Sequence, residues 1–556
     1  MKKKKYLLLI LLLVLILILP GAVYYKIQLY KMTYIHTYFH NLDDDYISPN
    51  QKEIDIIKYK LSFDLHPETK MFIANAILTG QILDQNIRTI DLNFYDNFNI
   101  EKILVNGIST EFENEGTILS IPYNSSIGKE FKIEVEYEGT PERVGLEGFV
   151  FGKRNGESLV YNLSEPTFAS SWFPCNDLST DKSLLEMSIT NDSSAVSISN
   201  GVLVDVKTIG DRRTYTWKTV YPISTYLIAL YSADYVSFKD HYISLSGQDT
   251  MDVEYFVLPD KLENAKVDFT DHVKMLQVLS KLFGEYPFIK EKYGVAEFLW
   301  YPGAMEHQTI TGVSSNMISG LNFYEDTYVH ELAHQWWGDA VSPKSWKDIW
   351  LNEGFATYSE ALYYEALTGK KALQSTMMGK YSSNFSGSLA EPGAFLFTRT
   401  MYDKGAWVLH MLRWEVGDSS FFNILRTYYE TYKYSNASID DFKNTCEKVS
   451  GINLDKFFEQ WVFSTGQIDL EYKTKMGQSE NNICVKIWLQ QVQEEYEVFN
   501  FPLEIKMLFK DDSEKAFRYS ISSRDTLLEI PTTAIPDTIE FDPNNWLLAQ
   551  ISLKDE

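Results

Sequence analysis

Two histidines, His330 and His334, stand four residues apart in VHELAHQWWGDA, and eighteen residues separate His334 from the glutamate of LNEGFATYSEALYYEAL, Glu353. Residues i and i+4 leave one face of a helix together, so both imidazoles can grip a single ion. For Glu353 to join them, the connection must turn the chain back. It must also bring a second helix, predicted to begin near Asn352 with Glu353 in its first turn, against the first. Alone, H-E-x-x-H arises by chance in long helices and fits two surface histidines beside a solvated glutamate equally well. With Glu353 added, two imidazoles and one carboxylate leave a fourth position open, which is the donor set of a catalytic zinc. Glu331 follows the first histidine and is placed to reach a water on that ion. Glu360 lies two helical turns after Glu353 on the same face. It is predicted to accept the free N–H of a ligating histidine and fix its tautomer, although the position also suits an ordinary surface glutamate.

A chain of 556 residues is too long for one core, so several domains are expected. MKKKKYLLLILLLVLILILPGAVYYK places four lysines before an apolar run from Tyr6 to Tyr25, long enough as a helix to span a bilayer. Lysines stay on the cytoplasmic side, so residues 1–5 read as a cytoplasmic tail and 6–25 as a single-pass signal anchor contacting the lipid bilayer. The catalytic part is then extracellular. A cleaved signal peptide, giving a secreted protein, is the competing reading. Residues 26–50 read as a polar stalk. Residues 51–237 show period-2 alternation broken by Gly, Asn and Asp, as in FKIEVEYEG and TYTWKTV, which predicts an N-terminal antiparallel β domain. From Lys261 the period becomes helical in KLENAKVDFTDHVKMLQVLSKLFG, and 238–466 read as a mixed α/β domain. Alternation returns in 467–556, a predicted small C-terminal β-sandwich. The fold class is multidomain α+β.

A formal net charge of −25 excludes nucleic acid as a partner, because phosphate binding needs a concentrated basic face. An acidic surface suits cationic groups, including free amines, or simply solubility. Cys175, Cys446 and Cys484 cannot build a disulfide framework, and none sits in a C-x-x-C pair.

HELAHQWWGDAVSPKSWKDIWLNEGFATY closely resembles the corresponding stretch of the M1 family of zinc aminopeptidases, within the gluzincins. YPGAMEHQT resembles that family's G-x-M-E-N exopeptidase motif at Gly303, Ala304, Met305 and Glu306, with His307 in place of the asparagine. EPTFASSWFPC and MYDKGAWVLHML resemble two further segments, making Glu165 and Tyr402 counterparts of family site residues. The resemblance implies a thermolysin-like catalytic domain holding one zinc on His330, His334 and Glu353. It implies attack by a zinc-activated water, with Glu331 as general base and Tyr402 stabilising the oxyanion. Glu306 and Glu165 would hold the α-ammonium of peptides with a free N-terminus, while Gly303, Ala304 and Met305 line the substrate strand.

Many members of that family carry a large helical carboxy-terminal domain. Here ninety β-rich residues follow Gly466, so a more open cleft is expected. Two other readings stay open: a zinc endopeptidase of thermolysin type, for which GAMEH and Glu165 have no evident job, and a catalytically inactive M1-like binding module, which should have lost a zinc ligand or the base. His410, Asp339 and Trp336 are assigned to packing and helix-surface roles.

Overall fold

The computed structural model describes residues 47–554 apart from 125, 126, 302, 394, 480 and 481. The expected tail, transmembrane anchor and most of the stalk lie outside the described residues. Among the described residues no helix is long and apolar enough to cross a membrane. The last residues of the expected stalk belong to the folded part. Ser48 caps a short turn at Pro49–Glu53, and Gln51 is buried with its amide bonded to Asn93 and Asn176.

The first unit is a β domain with short helical turns, and it departs from the expected antiparallel pattern where Ile54–His66 runs parallel to Leu184–Asp192. Ile54–His66 and Met71–Ile82 form a long antiparallel pair at the middle of an eight-stranded sheet. Ile54–His66 alternates between buried and partly exposed side chains, with a bulge at Ile56/Lys58. One face packs an aromatic cluster in which Phe63, Phe72, Phe149 and Trp172 touch ring to ring. A four-stranded sheet lies beside it, in the order Val196–Ser199, Leu230–Ala233, Glu157–Leu163, Gly148–Arg154. The loop that leaves Leu163 carries Glu165 away from this sheet and toward the next unit.

The second unit opens with a five-stranded sheet of β1 (Val236–Ile243), β2 (Thr250–Val257), β3 (Tyr293–Phe298), β4 (Ala304–Met305) and β5 (Thr311–Ser314), in the order β1-β2-β3-β5-β4. β1 straddles the expected boundary at 237/238. β3 is buried at every position and parallel to both neighbours, as strands covered on both faces are. β4 is the edge, antiparallel to β5, so its outer backbone is free to pair with an extended chain.

The helical run predicted across 261–284 is broken in two, Leu262–Asp268 and α1 (His272–Phe283). The Asp268 carboxylate accepts from the backbone N–H groups of Ser319, Gly320 and Asn322, which fixes the chain there and ends the first helix.

Next come α2 (Glu325–Ala333), α3 (Trp350–Thr368), α4 (Lys370–Gly379) and α5 (Gly405–Val416). From Trp350 to Tyr363 every residue of α3 is buried, so this helix is the axis of the unit and not a surface helix. The expected start near Asn352 falls two residues late, because a Ser345/Asp348 capping box turns the chain at Trp346–Asp348 directly into α3.

The last unit has two sheets, of four strands and three, whose facing rings include Tyr472 and Phe541 at 4.2 Å. It is fastened to α5 by a stack in which His410 lies on Trp546 (4.5 Å) and Trp546 on Trp414 (5.2 Å).

Candidate active site

α2 and α3 bring together three side chains that could hold a metal ion. Glu325 and Asp326 occupy the first turn of α2, where carboxylates suit the positive helix end. Glu325 also accepts from the hydroxyls of Tyr363 and Tyr364 and so ties α2 to α3. His330 lies within α2, and His334 follows as its C-terminal cap with its N–H still on the His330 carbonyl. The Glu353 carboxylate faces both rings, 3.3 Å from His330 Nε2 and 3.4 Å from His334 Nε2. One donor atom from each residue lies within 4.8 Å of the others.

Each imidazole is held from behind. His330 Nδ1 is 2.9 Å from Glu360 Oε1, and His334 Nδ1 donates to the Trp337 carbonyl at 3.0 Å. Both rings therefore present Nε2 to Glu353, as neutral metal-binding imidazoles do. Burial disfavours charge on His330, but Glu353 and Glu360 override it and raise its pKa to about 9. Glu353 is buried too, yet the two histidines pull it down to about 2. The three groups thus stabilise one another as charges, and a dication can take over the role of the imidazolium protons. The donor set fits zinc.

Around these groups lies a cavity of about 470 Å³, walled by residues of the first two units. Glu331 lines it, with its pKa raised to about 8 by burial and by Glu306 and Glu353. Tyr402 lines it from a wide helical turn at Thr400–Lys404 that leads into α5, with its ring parallel to that of His330 at 5.8 Å. Burial and the surrounding carboxylates hold the Tyr402 phenol well above its ordinary pKa, so it is a proton-bearing donor. Its place depends on a backbone-to-backbone crossing of α3 and α5. A Cβ at Gly354 would lie 2.9 Å from the Gly405 Cα, and one at Gly405 equally close to Gly354.

A second cluster adjoins the first. Carboxylate oxygens of Glu165, Glu306 and Glu353 all lie within 4.8 Å of one another. Glu165 and Glu306 are 5% and 4% exposed, and each keeps one carboxylate oxygen with no partner. Burial, then the charges of Glu306 and Glu353, hold the pKa of Glu165 well above normal, and burial raises that of Glu306. Buried acids crowded in this way are stabilised by a cation placed between them.

The Peptidase family M1 domain matches residues 268–461, and the Peptidase M1 N-terminal domain matches residues 56–227. The chain belongs to peptidase family M1. Among its relatives is "Probable aminopeptidase 2" of Sulfurisphaera tokodaii, 28% identical over 358 residues, which are 60% of this chain and 45% of that protein. The chain spans about half the length of the curated relatives it matches. The crystal structure of the M1 zinc metallopeptidase from Deinococcus radiodurans superposes with a TM-score of 0.66 at 25% identity, covering 74% of this chain and 94% of that one. The fold also matches Legionella pneumophila aminopeptidase A, with a TM-score of 0.78 at 18% identity, over 92% of this chain and 60% of that one.

In this M1 chain the structure brings His330, Glu331, His334, Glu353, Glu360, Tyr402, Glu165, Gly303, Ala304, Met305 and Glu306 to one cavity. His307 does not line it. Its Nδ1 is 2.5 Å from the Tyr231 hydroxyl, and burial pushes its pKa down to about 3. Asp339, assigned to packing, is fully buried with both carboxylate oxygens unpartnered, and burial holds it far above its ordinary pKa, as a neutral acid.

Two residues that sequence reasoning passed over organise the site. Gln335 is fully buried; its amide nitrogen donates to the Glu306 and His307 carbonyls, and its amide oxygen accepts from Thr309 N and Tyr286. It pins the loop carrying Glu306 to the residue after His334. Its place next to His334 was the only available signal. Lys380 donates to Glu360 Oε2 at 2.6 Å from the wall of the cavity, and no local pattern marks it.

Proposed function

We propose that this chain is a zinc-dependent aminopeptidase that removes N-terminal residues from peptides with a free amino terminus, using one zinc per chain on His330, His334 and Glu353. The observation that carries the reading is the pair of buried, half-unpartnered carboxylates, Glu165 and Glu306, set against the metal ligand Glu353. A peptide's α-ammonium is such a stabilising cation, and it fixes which bond lies beside the ligand set. A point mutant of the M1 neighbour from Deinococcus radiodurans has also been crystallised with a Tyr-Ser-Ala substrate.

When bound, zinc supplies Lewis acidity that acidifies a water and polarises a carbonyl. Glu306 and Glu165 accept the α-ammonium and offset its desolvation. The free edge of β4 pairs with the extended substrate backbone at Gly303–Met305. Glu331 takes the proton of the attacking water and passes it to the departing amine as the C–N bond breaks. Tyr402 donates to the oxygen on which negative charge develops, a contribution worth roughly 3 kcal/mol for one such donor.

We further propose that residues 6–25 anchor the enzyme in the cell membrane, with residues 1–5 cytoplasmic and the catalytic unit outside. The lysine cluster and the apolar run support this reading, and N-terminal sequencing of the mature protein separates an anchor from a cleaved leader.

The activity is tested with aminoacyl chromophores, free and N-acetylated, offered to the wild type and to Glu331→Gln. Cleavage of free amines alone, abolished in the variant, is expected. Equal cleavage of acetylated substrates indicates an endopeptidase, and no cleavage an inactive binding module.

A further inference from the structure

Seven carboxylates line the cavity, at Glu165, Glu306, Asp326, Glu331, Glu353, Glu360 and Asp403, and among the described residues that line it Lys380 is the one lysine or arginine. Its ammonium is not left to the substrate. Nζ is 2.6 Å from Glu360 Oε2, and Oε1 of the same carboxylate is 2.9 Å from His330 Nδ1. Both side chains are largely enclosed, Lys380 at 15% exposure and Glu360 at 7%. Asp403, another acid lining the cavity, is hydrogen-bonded to Arg399 at 2.7 Å and also feels the charge of Lys380.

The backbone explains how a lysine twenty residues downstream reaches Glu360. α3 ends at Gly369, whose φ of +93° makes a turn that other residues adopt at a cost. α4 then runs back beside α3 for ten residues, roughly 15 Å at 1.5 Å per residue. That return covers the distance from Thr368 up to the level of Glu360, and Lys380 caps α4 there.

We infer that Lys380 is a positioning residue of the metal centre: by holding one oxygen of Glu360 it aims the other at His330 and keeps His330 Nε2 turned toward the zinc. The inference rests on the zinc reading above. Partners behind a ligating histidine typically contribute ten- to a hundredfold in metal affinity. Without the ammonium, Glu360 can rotate, and its carboxylate is left buried with one oxygen unpartnered. The His330 ring then loses its fixed support.

The test is zinc competition against a chromogenic chelator for full-length wild type, Lys380→Met, Lys380→Arg and Glu360→Gln, alongside kcat and KM at saturating zinc. Lys380→Met should weaken zinc binding about ten- to a hundredfold, Lys380→Arg should recover most of that, and Glu360→Gln should match the loss. KM at saturating zinc should stay within about threefold of wild type for peptides with free and with amidated C-termini. Zinc affinity within threefold of wild type in Lys380→Met overturns the inference. So does a KM rise confined to peptides with a free C-terminal carboxylate, which would make Lys380 a substrate contact. If Lys380→Met does not fold, Lys380→Arg and Glu360→Gln decide it through the same zinc measurement. A wild type that binds no zinc removes the metal reading itself, which is a separate outcome.

Discussion

Replacing Glu306 with glutamine probes the amine trap with little change of shape. Glutamine fills the same volume, and Gln335 holds residue 306 through its backbone carbonyl, so the loop should stay in place. What is lost is one negative charge at a site 4% exposed to solvent. A carboxylate and an ammonium 4 Å apart attract by about 4 kcal/mol at an effective dielectric near 20. Removing one member of a desolvated pair costs roughly 2–5 kcal/mol. Glu165 and Glu353 remain to share the cation, so about 3 kcal/mol is the expected loss, or roughly a hundredfold in kcat/KM at 1.36 kcal/mol per decade. The apo protein should respond in the opposite sense, because one of three crowded buried acids has gone, and its melting temperature should hold or rise. The assay is kcat/KM on free-amine aminoacyl substrates together with a thermal melt at neutral pH. A loss under threefold in kcat/KM on free-amine substrates would refute the reasoning.

Gly405→Ala places a methyl 2.9 Å from the Gly354 Cα, an overpacking that costs about 1–3 kcal/mol and displaces the turn bearing Tyr402; a lower melting temperature together with a lower kcat is expected, and neither changing would contradict it. His410 is a buried neutral imidazole beside Tyr358 and the Asn545 carbonyl, and burial lowers its pKa to about 3. A histidine whose folded pKa is depressed contributes stability above pH 6.5 that is lost as pH falls toward the folded value, up to about 5 kcal/mol for a shift of this size. Asp181, raised to about 7 by burial, acts in the opposite direction, so wild type must be compared with His410→Gln rather than with itself. The melting-temperature advantage of wild type over His410→Gln should shrink steadily below pH 6.5, and a constant gap would be inconsistent with a neutral buried ring.

Much of this site could be read from the sequence because its parts lie at short, regular spacing. His330 and His334 are one helical turn apart, and Glu353 and Glu360 two turns apart, so periodicity alone places each pair on one face. Glu165 and Glu306 came only through resemblance, since nothing local distinguishes them from other glutamates on turns. Lys380 and Gln335 were invisible for a physical reason: what they do is set by a helical hairpin and by a loop crossing a helix. The α3–α5 contact depends on Gly354 and Gly405, fifty-one residues apart, each an ordinary helical glycine until the other lies against it. The break after Asp268 was hidden likewise, because the N–H groups that capture its carboxylate belong to residues 319–322.

Anomalous diffraction from crystals of the full-length protein, recorded on both sides of the zinc absorption edge, reports directly on the ligand set. One peak per chain, bounded by His330 Nε2, His334 Nε2 and the Glu353 carboxylate with Glu165 and Glu306 beside it, is the predicted result. A zinc-soaked crystal with no peak between those three side chains, or with its peak elsewhere in the molecule, would contradict the account.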